Sequence, residues 1–231
     1  MSKQTVIITG VSSGLGRALF DVLRGTDVRL VCISRTFLEY QTALASRDVV
    51  LLACDLSKPE EVSTLVQKLN SKLSSASDAV FINNAATIVP IGPIGQIDDA
   101  AITATTHTNF ISPMRITNTL CGLKKVKKLT VIHVSTGAAR IPLVGWSLYC
   151  ATKAACKMFF AVLEEQYKGS KKVVVNQFDP GVIDTPMQKK IRQSSNRDFP
   201  RVEEFKTLQK MQKLSDPALV AKRLIEQYIP I

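Results

Sequence analysis

TVIITGVSSGLGRALFDVLR, residues 5–24, contains a short apolar run, a glycine-rich turn and the start of an amphipathic helix. The glycines at positions 10, 14 and 16 let the backbone turn tightly and approach a ligand closely. After them, apolar residues recur at helical spacing. A strand, a glycine turn and a helix in this order predict a pyrophosphate site at the positive end of the helix, and the position directly after the first strand disfavours a turn without a ligand.

Apolar runs and helical patterns alternate along the rest of the chain. Strands are predicted over residues 5–9, 28–34, 49–53, 79–83, 129–135 and 173–178, and helices over residues 15–24, 37–45, 59–73, 98–120 and 149–167, with Pro113 interrupting the fourth helix. This alternation predicts an α/β fold, a Rossmann-type doubly wound parallel β-sheet with helices on both faces. No repeat or linker is evident, so residues 1–231 are expected to form a single domain.

The segment WSLYCATKAA, residues 146–155, indicates carbonyl chemistry. Tyr149 and Lys153 are four residues apart, so on a helix they share one face. A lysine ammonium favours the ionised form of a neighbouring phenol, which ordinarily titrates near pH ~10 and needs such a neighbour to exchange protons at neutral pH. Ser135 closes the strand-like VIHVS fourteen residues before Tyr149. The three side chains predict proton transfer to a carbonyl oxygen; an ordinary surface tyrosine and lysine are the alternative.

Composition favours a cytoplasmic protein with reduced thiols. Hydrophobic residues make up 45% of the chain, and no apolar run approaches the ~20 residues of a membrane span. MSKQTVIITG enters the first strand without a charged and apolar leader. The five cysteines lack C-x-x-C spacing, and only Cys150, beside Tyr149, suggests a redox role as an alternative to simple packing. His107 and His133 have no acidic or thiol partner at ligand spacing, so no metal site is predicted.

The net charge of +11 raises the question of a polyanion partner. The densest basic cluster is KKVKK, residues 124–128, between a helical stretch and a strand. A nucleic-acid-binding surface would extend such a cluster along one element and interleave it with aromatic residues, which this segment does not do. The cluster is therefore interpreted as solvated surface, and neither a nucleic acid nor a membrane is expected as a partner. A basic nucleic-acid-binding protein on the same fold stays as an alternative function.

The spacing T-G-x-x-x-G-x-G at residues 9–16 resembles the short-chain dehydrogenase/reductase family. Further family motifs follow in order: Asp55 after VVLLAC, NNA at residues 83–85 after AVFI, Asn109 in a helical stretch, and PGVIDT at residues 180–185. The resemblance covers nearly the whole chain. It implies an oxidoreductase that binds a nicotinamide dinucleotide, reduces a small carbonyl substrate and assembles as a homodimer or homotetramer.

The resemblance also assigns roles to residues. It implies that Tyr149 gives a proton to the carbonyl oxygen, that Ser135 hydrogen-bonds that oxygen, and that Lys153 holds the nicotinamide ribose and links through water to Asn109. For Asn109 the alternative is to satisfy backbone groups of a broken helix. The residues expected to contact the cofactor are Gly10, Ser12, Ser13, Gly14, Leu15, Gly16, Arg35, Asp55, Leu56, Asn83, Ala85, Tyr149, Lys153, Pro180, Gly181, Val182 and Thr185.

Within the family, GWSLYCATKAA and PGVIDTPMQKKIR are similar to sepiapterin reductases and benzil-type diketone reductases. The chain departs from the sepiapterin pattern, because Ser13 replaces an arginine in the glycine turn and a final strand with a pterin-anchoring aspartate is missing. It also has Ala86 where the family usually places a glycine. An apolar pocket for a hydrophobic or aromatic ketone is expected from Ile141, Leu143, Val144, Trp146 and Met187, with a core tryptophan as the alternative for Trp146. Sepiapterin reduction and a non-catalytic, dinucleotide-binding redox sensor are the alternative functions.

The end of the second predicted strand generates a prediction about cofactor choice. CISRT offers Ser34 and Arg35 where NAD-specific relatives have an acidic residue, and a guanidinium binds a 2'-phosphate through paired hydrogen bonds. We expect the wild type to prefer NADP(H) to NAD(H) and Arg35→Ala to lose that preference. The measurement is kcat/KM with both cofactors. Equal use of both by the wild type would identify Arg35 as an ordinary surface arginine.

Overall fold

In the computed structural model, which describes residues 3–73 and 76–230, six parallel strands form one sheet in the order β3-β2-β1-β4-β5-β6. The strands are β1 Gln4–Thr9, β2 Val28–Ser34, β3 Val49–Ala53, β4 Asp78–Asn83, β5 Lys128–Val134 and β6 Val173–Phe178. Each bound lies within one residue of its prediction, because β-branched and aromatic residues mark these runs as extended backbone. The predicted Rossmann-type parallel sheet is confirmed.

Nine α-helices are found in the described part of the chain. They are α1 Gly14–Leu23, α2 Glu39–Ala43, α3 Pro59–Lys72, α4 Asp99–Thr106, α5 Ser112–Gly122, α6 Ser147–Gln166, α7 Pro186–Arg192, α8 Val202–Lys210 and α9 Pro217–Tyr228. The sequence-based prediction omitted the last three. For α9 the signals were present, since Asp216 caps the helix through Ala218 N–H and Pro217 occupies its first turn. None of the helices described is long and apolar enough to span a membrane.

The helices cover both faces of the sheet because strand side chains alternate between them. On one face, α1 and α9 pack together over apolar strand residues such as Ile8 and Ile132. On the other face, α3, α5 and α6 cover residues such as Phe81 and Val131. Each fully buried side chain of this size contributes roughly 1.5–3 kcal/mol to folding. The two apolar layers hold the strand ends rigidly.

The predicted helix over residues 98–120 is interrupted by a π-helical segment, His107–Ile111, that lies directly before α5. Within it, Ser112 N–H donates to the carbonyl of His107, five residues earlier. Pro113 explains the change of geometry, because a proline ring clashes with the carbonyl of the residue four positions before it, here Asn109. The wider turn places Asn109 inside the molecule, where only 2% of its surface is exposed.

The glycine turn depends on a close backbone approach at Gly16. A Cβ at this position would overlap the carbonyl oxygen of Gly10 and crowd the Asn84 amide. We expect Gly16→Ala to destabilise the fold by roughly 1–3 kcal/mol, as an overpacked core substitution does. Gly122→Ala is the matched control, since a Cβ there meets nothing within 4 Å. Urea unfolding of both variants checks this, and equal midpoints would contradict it.

Candidate active site

The carboxyl edge of the sheet collects most of the residues that the sequence singled out. Because the six strands are parallel, every strand ends at this edge. Ligands of open α/β sheets bind outside it, where the strand order reverses, here between β1 and β4. The candidates within two residues beyond a strand end are Gly10, Arg35, Asp55, Asn84, Ala85, Ser135 and Pro180.

Asn84 fastens the glycine turn to the loop after β4. Its Nδ2 donates to the carbonyl oxygens of Thr9, at 2.9 Å, and Gly10, at 3.3 Å. In return, Thr9 Oγ1 accepts the backbone N–H groups of Asn84 and Ala85, both at 3.0 Å. These bonds join the ends of β1 and β4 into one rigid unit at the point where the strand order reverses.

The start of α1 has the form of an anion-binding cradle. The helix begins at Gly14, and Ser13 occupies its N-cap without a side-chain capping bond, so the first-turn N–H groups keep their capacity to bind an anion. Thr185, at the N-cap of α7, lies beside this turn: a Cβ on Gly14 would come 3.0 Å from its Cγ2. The last predicted cofactor motif therefore lies next to the first.

The ends of β2 and β3 contribute polar groups on the other side of the turn. Ser34 Oγ donates to Ser12 Oγ at 3.3 Å, while Arg35 is exposed. Asp55 Oδ1 accepts both the N–H of Ser57, at 2.9 Å, and its hydroxyl, at 2.8 Å. Burial acts to raise the pKa of Asp55, but these hydrogen bonds and the positive charge of Arg35 hold that pKa below its usual value. Asp55 is therefore ionised beside an exposed guanidinium.

Two further predicted cofactor contacts, Leu56 and Asn83, are buried. The Leu56 carbonyl accepts the hydroxyl of the serine that begins α5, at 2.7 Å. Asn83 Nδ2 lies 3.0 Å from His133 Nδ1, and the His133 ring stacks on Phe160 with centroids 4.6 Å apart. Burial, together with a nearby lysine charge, lowers the pKa of His133 to about 2. His133 is thus a neutral core residue.

The segment PGVIDT, residues 180–185, is braced from the C-terminal part of the chain. The Pro180 carbonyl accepts Arg223 Nη2 of α9 at 3.3 Å. The Val182 carbonyl accepts Ser215 N–H at 2.9 Å. α9 therefore packs against α1, which follows the glycine turn, and also contacts this predicted cofactor segment. The sequence-based prediction had no role for α9.

Asn109 connects three parts of the site. Its side-chain amide makes paired 2.8 Å hydrogen bonds with the backbone N–H and C=O of Thr87, in the loop after β4. Its Nδ2 also donates to Thr152 Oγ1 of α6 at 3.2 Å. Satisfying backbone groups was the alternative considered for this residue, and the side chain does so for the loop rather than for its own helix.

Tyr149 and Lys153 share the inner face of α6, as their spacing predicts, with 8% and 5% of their surfaces exposed. Lys153 Nζ donates to the Val134 carbonyl at 2.7 Å. Burial lowers the pKa of Lys153 to about 8 and raises that of Tyr149 to about 12. The expected lowering of the phenol pKa by the ammonium is not seen in this arrangement, because desolvation dominates both groups.

Thr136 is the hydroxyl residue that influences the Tyr149 phenol. Burial raises the pKa of the phenol, and the interaction with Thr136 opposes that rise. Ser135, directly before it, is 9% exposed and is held through its N–H by the Phe178 carbonyl at 2.8 Å. The role of Ser135 in binding the carbonyl oxygen stays a prediction, and the sequence-based prediction did not include Thr136. Alternation of side chains at the strand end was the available signal, since only one of two neighbouring residues faces a given side.

An apolar cluster covers Tyr149. The predicted pocket residues Leu143, Trp146 and Met187 belong to it, whereas Ile141 is 50% exposed and Val144 70% exposed, both outside the cluster. The Trp146 ring packs edge-on against Tyr149, with centroids 5.8 Å apart, and stacks on Phe199 at 4.5 Å. Trp146 is therefore both a buried residue and a neighbour of the phenol. The cluster residues that were not predicted as pocket residues are Ala86, Ile88, Ile91, Ala138, Cys150, Ile191, Phe199, Val202 and Phe205.

We call residues 186–210, which contain α7 and α8, the roof, because five of its apolar side chains complete this cluster. The roof approaches the loop before α6 at Gly145. This glycine has a φ of 87°, and a Cβ there would overlap the carbonyl oxygen of Asp198. The contact sets the stacking of Phe199 on the neighbouring Trp146. The sequence contained no direct signal for it.

Comparison with solved structures finds the same architecture. The structure of the KRED1-Pglu enzyme superposes with a TM-score of 0.83 over 99% of this chain and 95% of that chain, at 25% sequence identity. A short-chain dehydrogenase/reductase from Burkholderia vietnamiensis, 28% identical, has a TM-score of 0.72 over 84% of this chain and 93% of that chain.

Sequence comparison agrees. A benzil reductase of Bacillus cereus, which forms (S)-benzoin, is 34% identical over 95% of this chain and 91% of its own length. A sepiapterin reductase of Rattus norvegicus is 32% identical over 82% of this chain and 78% of its length. The family profile described as short chain dehydrogenase matches residues 4–196. This chain therefore belongs to the short-chain dehydrogenase family, and it is an oxidoreductase acting on carbonyl and CH–OH groups.

Proposed function

We propose that the chain is an NADPH-dependent carbonyl reductase for ketones and diketones with hydrophobic or aromatic groups, in which Tyr149 is the proton donor. The observation that carries the proposal is the environment of Tyr149. Thr136 acts on its phenol and opposes the rise in its pKa, and its ring lies 5.8 Å from that of Trp146 within an apolar cluster. A proton donor and an apolar surface thus meet at the ligand-binding edge of the sheet.

The residues around the glycine turn fit a nicotinamide dinucleotide. The start of α1 offers the N–H groups of its first turn to a pyrophosphate. Because Gly16 approaches Gly10 closely, backbone atoms rather than side chains line this part of the site. Arg35 supports the choice of a cofactor with a 2'-phosphate, because it is exposed at the end of β2. Thr185, beside Gly14, would hold the nicotinamide end. A reduced nicotinamide supplies hydride when it is bound.

Proton delivery follows from the pKa values in the site. Hydride addition to a ketone develops negative charge on its oxygen, which a positioned acid neutralises. The raised pKa of Tyr149, about 12, keeps the phenol protonated at neutral pH, so it is the donor. The phenolate left behind accepts the Thr136 hydrogen bond. Lys153, with a pKa of about 8, changes its charge near neutral pH and is suited to return a proton.

We further propose a homodimer or homotetramer in the cytoplasm, as the family resemblance implies. The outer face of α6 supports association, because Met158 and Val162 are 66% and 58% exposed there. Large exposed apolar side chains at such spacing on one helix favour a protein partner over solvent.

Substrate preference is the first test of the proposal. Aromatic α-diketones should be reduced with a higher kcat/KM than sepiapterin, since the cluster around Trp146 and Phe199 offers apolar and ring surfaces. Initial rates of NADPH consumption with benzil, simple ketones, quinones and sepiapterin measure this. Phe199→Leu is the matched variant: loss of the stacked ring should weaken benzil reduction more than that of a small ketone. Faster turnover of sepiapterin than of benzil would replace this substrate class by the pterin alternative.

The phenol of Tyr149 and the two hydroxyl residues that follow β5 provide the second test. Tyr149→Phe keeps the ring but removes the hydroxyl that donates the proton, and kcat should fall ~10²- to 10⁴-fold with NADPH affinity nearly unchanged. Thr136→Val should lower kcat in the same direction, whereas Ser135→Ala is the matched control and should have the smaller effect. Single-turnover rates and NADPH binding by fluorescence measure the two quantities. Near wild-type turnover by folded, cofactor-bound Tyr149→Phe would restore the redox-sensor alternative.

A further inference from the structure

We infer that the thiol of Cys156 positions Asn109 in the site by donating a hydrogen bond to the Asn109 carbonyl, whose usual α-helical donor is missing at Pro113. Cys156 Sγ lies 3.0 Å from that carbonyl oxygen. The role as a positioning residue for catalysis rests on the proposed function, but the hydrogen bond itself does not.

The need for this donor follows from Pro113. In an α-helix the carbonyl of Asn109 would accept the N–H of the residue four positions later, and that residue is a proline without an N–H. A buried carbonyl that loses its α-helical donor is stabilised by a replacement donor. Cys156, on the opposing helix α6, is 1% exposed and supplies it. Burial raises the pKa of Cys156 to about 11, so the thiol keeps its donor proton at neutral pH.

The thiol completes a clamp on Asn109. Thr152, four residues before Cys156 and therefore on the same face of α6, accepts Asn109 Nδ2 at 3.2 Å. Asn109 is thus held to α6 at both its side chain and its carbonyl. Tyr149 and Lys153 lie on this face as well. The clamp fixes the distance between the π-helical segment and the residues that we propose to transfer protons.

The other side of Asn109 transmits the effect to the ligand-binding edge. Its amide pairs with the backbone of Thr87, two residues beyond Ala85. Without the thiol, the π-helical segment loses this hydrogen bond to α6, and we expect the Asn109 amide to shift with the backbone. Asn109 then no longer holds the loop after β4 at a fixed position relative to the inner face of α6.

Three variants separate positioning from packing. Cys156→Ala removes the donor, and kcat should fall about 3- to 10-fold, which corresponds to the free energy of one ordinary hydrogen bond. KM for NADPH should stay within about twofold of wild type. Cys156→Ser keeps a donor and should recover most of kcat. Cys32→Ala is the matched control, because it also removes a fully buried thiol, but from β2. It should lower the unfolding midpoint as much as Cys156→Ala does and leave kcat unchanged.

Infrared spectroscopy tests the bond without any activity. The S–H stretching band that disappears in Cys156→Ala should lie at lower frequency than the band that disappears in Cys32→Ala, since a hydrogen-bonded S–H vibrates more slowly than a free one. A Cys156 band at the free position would overturn the hydrogen bond. A shifted band with equal kcat in the Ala and Ser variants would overturn the positioning role. An inactive wild type with a shifted band would count against the proposed function and leave the bond standing.

Discussion

The parallel pairing of β1 with β4 is the constraint on which the candidate site depends. Their register, from Thr5 opposite Ala79 to Ile8 opposite Ile82, brings the glycine turn and the NNA loop out of the sheet side by side. After β1 the chain continues to β2 on one side of the sheet, and after β4 it continues to β5 on the other side, so a crevice is left between the two loops. Asn84 crosses this point with two hydrogen bonds, so the crevice has a fixed width.

The sheet and its ligand-binding edge were predictable because they rest on local signals. Runs such as VIIT and VFIN mark strands, and parallel strands place their following residues together. The same signals indicate that only one of the neighbouring residues Ser135 and Thr136 faces the phenol, but they do not indicate which one. That depends on how residues 137–146 return the chain to α6, beside the roof. Neighbouring hydroxyls look alike in sequence but face different sides of a strand end.

The centre of the site was the other part that sequence could not supply. Pro113 predicted an interruption, yet the partner of the carbonyl that it releases lies 47 positions away on α6. The spacing of Tyr149 and Lys153 correctly predicted a shared helical face. It did not predict that burial would move their pKa values apart, to about 12 and about 8, since desolvation depends on the surrounding tertiary structure. Spacing therefore indicates which groups we propose to react, while packing decides their protonation.

The contact between Gly145 and Asp198 has a consequence for how this scaffold can diversify. The roof carries much of the apolar surface beside Tyr149, and it contacts the loop before α6 through a backbone approach that tolerates no side chain. Ring and aliphatic positions such as Phe199 and Phe205 can change the shape of the chamber without disturbing the strand ends. A library for new carbonyl selectivity would therefore randomise side chains of the roof and keep Gly145, because the backbone contact at Gly145 holds the roof in place beside Tyr149.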